Sequence, residues 1–177
     1  MIDFSRDYFE LFGLPQRFRF DAASLERAYR KLQTEVHPDR FAAGSEQEKR
    51  IALQSSARVN EAYRSLRNPV ERAQYLLSLH GIDALAETDT QLPVEFLERQ
   101  LERRERAAEA VAAKDSRGLA AIAAEVCAEA AELEAALAQK LDAEHAYAAA
   151  RTSVRELKFL AKLGADVDAL QATVDDL

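Results

Sequence analysis

The chain has 177 residues and a formal net charge of −7, with only five glycines, four prolines and one cysteine. A composition rich in Ala, Glu, Leu and Arg favours an all-helical protein, and a single cysteine excludes an internal disulfide and a cysteine-only metal site. The sequence has no apolar run near the ~20 residues of a membrane span, and its charged N-terminus argues against a signal peptide, so we predict a soluble cytoplasmic protein.

The first two predicted helices differ in length and pattern. Residues 7–14 are predicted to form a short helix with aromatic side chains, ended by a glycine and a proline. A longer amphipathic helix begins near Ser24, with Asp21 or Ser24 as its N-cap. Its apolar residues follow the i, i+3, i+4, i+7 spacing of a buried face, and they are Leu25, Ala28, Tyr29, Leu32 and Val36. The cationic residues that fall off this stripe, and are predicted to face water, are Arg27, Arg30 and Lys31.

The tripeptide His37-Pro38-Asp39 is predicted to stop this second helix. Pro38 has no N–H group to donate, and it pushes His37 out of the α-helical region. The sequence therefore predicts a rigid, exposed turn that carries an imidazole and a carboxylate directly after a cationic helix face. The plain alternative is a helix-ending loop without a function.

Two further helices and a linker complete the N-terminal part. Ser45 and Glu48 form a predicted capping box, and the helix that they start continues to about residue 67. The second and third helices are expected to bury their apolar stripes against each other as a hairpin. A proline begins the fourth helix, at 69–79. Residues 81–93 have no helical period and are predicted to be a linker.

The C-terminal part, residues 94–177, contains three more helical patterns, at about 94–113, 119–141 and 143–175. Each carries an apolar stripe, so we predict that they close on one core as a three-helix bundle. Gly164 is expected to kink or break the last helix. The stripe assigned to the first of the three helices is Val94, Leu97, Leu101, Ala108, Val111 and Ala112.

An acidic stripe lies beside the apolar one on the first bundle helix. Four arginines lie among its glutamates, close enough for local ion pairs. A solvated helix face explains this pattern, and so does a docking surface in which Leu97 and Leu101 are only partly covered. Phe159 lies off the main stripe of the last helix, where an aromatic residue fills a gap or anchors a partner. The glutamates of the stripe are Glu98, Glu102, Glu105 and Glu109.

Charge divides the sequence into two unlike parts. Residues 1–80 carry 13 Lys and Arg against 11 Asp and Glu, a net of +2, whereas residues 81–177 carry 11 against 20, a net of −9. Two parts of opposite sign indicate two different partners. The acidic total argues against general nucleic-acid binding, so we predict protein partners, with no nucleic acid and no membrane.

The first eighty residues resemble the J-domain of DnaJ-type co-chaperones. The resemblance rests on AYRKL at 28–32, HPD at 37–39 and VNEAYRSLRNP at 59–69, in that order. It implies that the tripeptide binds a DnaK-like ATPase, with Asp39 offered to a partner cation and Pro38 fixing the turn in advance. The other residues that it assigns to the ATPase-binding surface, all cationic, are Arg27, Arg30, Lys31 and Arg40.

Nearly the whole sequence is similar to the HscB family of iron–sulfur co-chaperones, through the segments YLLSLHG, FLERQLE and VRELKFL. The resemblance implies a J-domain over 1–80, a linker over 81–93 and a three-helix bundle over 94–177. It also implies an ATPase partner, HscA, whose ATP hydrolysis the J-domain stimulates, and a scaffold protein, IscU, that the bundle delivers. The scaffold-binding residues that it implies are Leu97, Leu101, Glu102, Glu105, Glu109 and Phe159.

The sequence gives little support for an enzyme. Its three histidines lack a metal-binding spacing such as HExxH, and no Gly-rich phosphate loop is present, so we predict neither catalysis nor a cofactor. Cys127 is predicted to be a small, partly buried core residue. Two alternatives remain open. One is a J-protein whose bundle serves another client or self-associates, which leaves the oligomeric state undecided. The other is a helical hydrolase that uses His37 and Asp39.

Overall fold

A computed structural model describes residues 2–86 and 91–176, and all regular secondary structure in these ranges is helical. The predicted all-α fold is therefore confirmed. No helix in the described ranges is long and apolar enough to span a membrane. The helices are α1 (Tyr8–Phe12), α2 (Ala22–Val36), α3 (Glu46–Arg67), α4 (Pro69–Leu79), α5 (Val94–Ala112), α6 (Ser116–Ala138) and α7 (Tyr147–Asp175). A 3-10 helix, Pro38–Phe41, follows α2, and a π-helical turn, Gln139–Ala143, continues α6.

The chain divides into two compact units, Met1–Leu76 and Leu77–Leu177. The helical hairpin predicted for the first unit is present. Tyr29 stacks on Tyr63 with ring centroids 3.9 Å apart, and the Tyr63 hydroxyl donates a hydrogen bond to Glu26 at 2.5 Å. These contacts join α2 to α3 in an antiparallel arrangement. The buried core of the unit includes Phe9, Phe12, Leu25, Val59, Ala62 and Leu66.

Side-chain caps fix where the helices of the first unit begin. Asp21 accepts hydrogen bonds from the backbone N–H groups of Ala23 and Ser24, each at 3.1 Å, so α2 begins at Ala22 rather than at Ser24. The predicted capping box is confirmed, since Ser45 and Glu48 each accept a bond from the other's backbone N–H group. Both caps satisfy N–H groups that have no partner inside their own helix.

The second unit contains the predicted three-helix bundle of α5, α6 and α7. Its core includes Phe96, Ile122, Val126, Leu160, Leu163 and Val167. The helix break that was one expectation at Gly164 is wrong, because α7 continues through this residue. A Cβ atom at Gly164 would lie 3.6 Å from Val126 Cγ1, so the glycine sits where α7 packs against α6. Cys127 is exposed, which corrects its predicted partial burial.

A buried arginine bonds to two backbone carbonyls of the segment predicted to be a linker. Arg155 of α7 donates hydrogen bonds to the backbone carbonyls of Ala84, at 2.9 Å, and Gln91, at 3.2 Å. The described residues of the segment are non-helical, and residues 87–90 lie outside the described ranges. The domain boundaries at residues 80 and 93 stay predictions.

Candidate functional site

The His37-Pro38-Asp39 turn is fixed by its backbone and exposed through its side chains. His37 closes α2 in an extended conformation (φ −59°, ψ 128°), and Pro38 begins the 3-10 helix. The His37 Nδ1 atom accepts a hydrogen bond from the Asp39 N–H group at 3.3 Å and lies 3.5 Å from the Asp39 carboxylate. The Asp39 side chain is nevertheless 89% exposed, so it is available to a partner.

The cationic side of α2 faces water as predicted, and its members differ in their contacts. Arg27 lies 3.3 Å from Asp21, and Arg30 lies 2.9 Å from Glu26. Hydrogen bonds from Tyr63 and then from Arg30 hold the pKa of Glu26 below its ordinary value. Over the described ranges Lys31 makes no ion pair with an acidic residue.

Arg40 lies on the 3-10 helix that carries the tripeptide. Its guanidinium donates a hydrogen bond to the backbone carbonyl of Thr34, at 3.3 Å. This contact ties the 3-10 helix back to the last turn of α2 and leaves the charge of Arg40 without an acidic partner among the described residues. Lys31 of α2 and Arg40 of the 3-10 helix therefore keep their charges available to an acidic surface.

α5 buries a different side from the one that its apolar pattern predicts. Its buried residues are Phe96, Gln100, Ala107 and Ala110, and the side chain of Arg103 beside them is only 13% exposed. The predicted stripe was wrong for five of its six members. The exposed five are Val94, Leu97, Leu101, Ala108 and Ala112.

The arginines that flank this buried side bond to α6 rather than to the glutamates of α5, which corrects the predicted local pairing. Arg99 and Arg103 both bond to Glu129. The Arg106 guanidinium donates a bidentate pair of hydrogen bonds to the Glu125 carboxylate, at 2.7 and 2.9 Å. Partial burial raises the pKa of Glu129, but the bonds from Arg103 and Arg99 outweigh it and lower the net value. The pKa of Glu125 is lowered chiefly by its bonds from Arg106.

The opposite side of α5 presents apolar and acidic side chains together. We call it the α5 face. Leu97 is 42% exposed and Leu101 is 59% exposed. None of its glutamates makes an ion pair in the part of the chain that the structure describes. The residues of the face are Val94, Leu97, Glu98, Leu101, Glu102, Glu105 and Glu109.

Phe159 of α7 is half-buried against the bundle core. Its ring meets Phe96 edge to face, with centroids 5.6 Å apart, and the Arg104 guanidinium lies 5.2 Å from its centre. The ring thus fills the predicted local gap and is only partly covered. Its role as a binding anchor stays a prediction.

Sequence reasoning missed Val94, which is 64% exposed on the same side of α5 as Leu97 and Leu101. The available signal was its spacing of three and seven residues from these leucines, which places all three on one helix face. Reading that face as core hid Val94 as a surface residue.

The structure gives no sign of a metal centre within residues 2–86 and 91–176, where no group of three or more His, Cys, Asp or Glu could hold an ion. The histidines outside the turn make aromatic contacts. His80 stacks on Tyr147 with centroids 3.6 Å apart, and the His145 Nδ1 atom lies 3.1 Å from the Tyr147 hydroxyl.

Comparisons with known proteins match both units. A family model described as the DnaJ domain matches residues 7–75, and one described as the HSCB C-terminal oligomerisation domain matches residues 92–168. A protein named as a co-chaperone HscB homolog from Azoarcus sp. (strain BH72) is 47% identical over 172 residues, which are 97% of each chain.

Solved structures give the same match. Chaperone HscB from Vibrio cholerae has a TM-score of 0.85 and 38% identity, covering 96% of this chain and 99% of its own. Human co-chaperone protein HscB has a TM-score of 0.88 and 30% identity, covering 95% and 83%.

Proposed function

The chain belongs to the HscB family of co-chaperones, and we propose that it couples a DnaK-like ATPase of the HscA type to the iron–sulfur scaffold protein IscU. In this proposal the J-domain turn and the cationic side of α2 bind the ATPase and stimulate its ATP hydrolysis. The α5 face, with Phe159 beside it, binds the scaffold. The chain acts in the cytoplasm without catalysing a reaction or holding a cofactor. Any iron–sulfur cluster on the scaffold is cargo.

The observation that carries the proposal is the division of charge on α5. Since Arg99, Arg103 and Arg106 bond to α6, the glutamates of the α5 face are left without an ion pair among the described residues, beside two exposed leucines. Such a surface suits a partner with an apolar patch bordered by cations, because apolar anchors supply affinity and the surrounding charges select the partner and speed association.

The turn supports the first half of the proposal through its rigidity. Pro38 fixes the backbone before binding, so little conformational entropy is lost when a partner docks. Asp39 presents an exposed carboxylate to a partner cation, while Lys31 and Arg40 attract an acidic surface. By binding one conformation of the ATPase more tightly than the other, the J-domain shifts that partner's equilibrium toward the state that hydrolyses ATP.

Steady-state ATP hydrolysis by the HscA-type ATPase tests the proposal. The chain is added with and without the scaffold, and the His37→Gln variant is run in parallel. We expect the natural chain to stimulate hydrolysis, the scaffold to increase that stimulation, and the variant to lose it. Stimulation that the scaffold does not affect would leave the J-domain role and remove the scaffold role.

A second candidate function is self-association of the bundle, which the description of the matching family model as an oligomerisation domain favours. The exposed leucines of the α5 face could pair between two copies, but a two-fold contact would bring two acidic stripes together. Light scattering at rising protein concentration tests self-association. If the bundle self-associates, the measured mass increases above 19.7 kDa and increases further in high salt.

A further inference from the structure

Arg104 differs from the other arginines of α5. Arg99, Arg103 and Arg106 all bond to glutamates of α6, whereas Arg104 is exposed and makes no ion pair within the described part of the chain. Its guanidinium carbon instead lies 5.2 Å from the centre of the Phe159 ring. A cation and an aromatic ring attract each other at this distance, so the ring holds Arg104 in place without neutralising its charge.

Helix geometry places Arg104 next to the two exposed leucines of the α5 face. Arg104 follows Leu101 by three residues and Leu97 by seven, so these three side chains share one side of α5. At about 100° of turn per residue, the four glutamates of the α5 face all lie on the other side of the leucines. The apolar centre is therefore bordered by a cation and an aromatic ring on one side, and by carboxylates on the other.

The cation at this border limits which partner fits the α5 face. A partner with cations all around its apolar patch would be attracted by the glutamates and repelled by Arg104. An acidic group opposite Arg104 removes that conflict. A guanidinium that lies over an aromatic ring keeps its N–H edges free, and those edges match the two oxygens of a carboxylate.

We propose that Arg104 is a specificity-determining residue of the α5 face and donates hydrogen bonds to a carboxylate of the scaffold. This role rests on the proposed binding of the scaffold, and it assigns opposite charges to the two sides of the partner's apolar patch. Docking then has one favoured orientation, since a partner rotated by half a turn would bring like charges together. Phe159 contributes by holding the guanidinium in place, so less side-chain entropy is lost on binding.

Isothermal titration calorimetry of the full chain with IscU tests the sign of the Arg104 contribution. At low salt we expect Arg104→Gln to weaken binding about threefold and Arg104→Glu about tenfold, and both losses should shrink at high salt. An acidic face that meets only cations would give the opposite result, because removing a positive charge would then tighten binding.

Arg117 supplies the matched control, since it is an exposed arginine of α6 outside the α5 face and has no ion pair among the residues that the structure describes. Arg117→Glu makes the same charge change as Arg104→Glu and should alter the affinity by less than about twofold. Arg104 and Arg117 are both exposed, so all of these variants are expected to fold.

Chemical cross-linking tests for direct contact between Arg104 and the scaffold. Arg104→Lys keeps the positive charge and offers a primary amine, which a carbodiimide joins to a neighbouring carboxylate as an amide while the carbodiimide takes up the released water. Mass spectrometry of the digested complex should find a peptide with position 104 linked to an acidic residue of IscU. Arg117→Lys should give no such link at position 117.

The outcomes separate Arg104 from the scaffold role as a whole. Equal or tighter binding by Arg104→Glu, a loss that Arg117→Glu matches, or a missing link at position 104 would each overturn the role of Arg104 and leave the scaffold role standing. If the natural chain does not bind IscU, the scaffold role fails and the role of Arg104 fails with it.

Discussion

The two candidate partner-binding surfaces of this chain are built in opposite ways. The J-domain turn owes its shape to the backbone, because Pro38 and the His37–Asp39 contact fix three consecutive residues. The α5 face is one side of a regular helix, and its character depends on which charges the neighbouring helix neutralises. The first surface lies beside cations, and the second presents carboxylates and leucines. A surface fixed by the backbone can be found from a motif, whereas a helix face is known only once its opposite side has been identified.

Removing the apolar part of the α5 face should have the largest effect on this contrast. Leu97→Ala combined with Leu101→Ala is expected to weaken scaffold binding by about 2–4 kcal/mol, since exposed apolar anchors of this kind supply much of the affinity of an interface. Isothermal titration calorimetry with IscU measures the affinity of each protein for the scaffold. Leu170→Ala, at another exposed leucine of the bundle, is the control. Equal affinities for the natural chain, the double variant and the control variant would show that the α5 face does not bind the scaffold.

Glu129 of α6 bonds to two arginines of α5, Arg99 and Arg103, on the side opposite the α5 face. Glu129→Gln should lower the free energy of unfolding by about 1–2 kcal/mol. The hydrogen bonds from two arginines to a carboxylate are replaced by weaker hydrogen bonds to a neutral amide. Urea denaturation measures the change. Glu132→Gln, an exposed residue of the same helix with no ion pair in the described ranges, should have little effect. Equal losses in the two variants would contradict the assigned ion pairs.

Acid should remove the difference between Glu129→Gln and the natural chain. The folded pKa of Glu129 is held below its ordinary value of 4.5, so its ionised form stabilises the folded state above that value. As pH falls from the ordinary pKa through the lowered one, the folded chain takes up its proton and this stabilisation is lost. Unfolding measured between pH 7 and pH 3 should show two stability curves that converge. A constant gap would contradict the lowered pKa.

The acidic stripe should contribute less than the leucines. Glu102→Lys is expected to weaken scaffold binding by about 1 kcal/mol at low salt and less at high salt, since exposed charges act over a short, screened range. Glu132→Lys carries the same charge change outside the α5 face and serves as the control. Matching losses in both variants would mean that the total charge of the bundle matters and the stripe does not.

The smallest effect should be a gain in stability. Gly164→Ala is expected to stabilise the bundle by up to about 1 kcal/mol, because alanine favours helix more than glycine and its Cβ would make an ordinary contact with Val126. Gly44→Ala is the contrasting change, since a Cβ there would lie 2.8 Å from Glu48 Oε2 and 3.2 Å from the Phe41 carbonyl. Thermal unfolding measures the stability of both variants, and a loss of stability in Gly164→Ala would contradict the ordinary contact assigned to its Cβ beside Val126.

The sequence carried most of the information needed for the fold. The capping residues Asp21, Ser45 and Glu48 located two helix starts because capping depends on residues close in sequence. The side of α5 that is buried could not be predicted in the same way. Gln100 and Arg103 lie on that side among the buried residues of α5, and Glu129, on another helix, bonds to both of them. A count of apolar residues does not include such a distant polar partner, so it assigned the exposed leucines to the core.

The helix break expected at Gly164 failed for a related reason. Glycine lowers helix propensity, but tertiary packing overrides propensity when a neighbouring helix approaches closely. The side chain of Val126 occupies the space beside Gly164, and that contact is invisible in the sequence of α7 alone.

We propose that one chain brings the ATPase and the scaffold together through two separate surfaces. ATP hydrolysis by the HscA-type ATPase is measured against scaffold concentration, with an equal mixture of His37→Gln and the Leu97→Ala, Leu101→Ala double variant. Each variant keeps one surface, so joining partners through a single chain becomes impossible. Because tethering raises effective concentration, we predict that the mixture needs at least about tenfold more scaffold for half-maximal stimulation than the natural chain. A mixture that matches the natural chain would contradict the account.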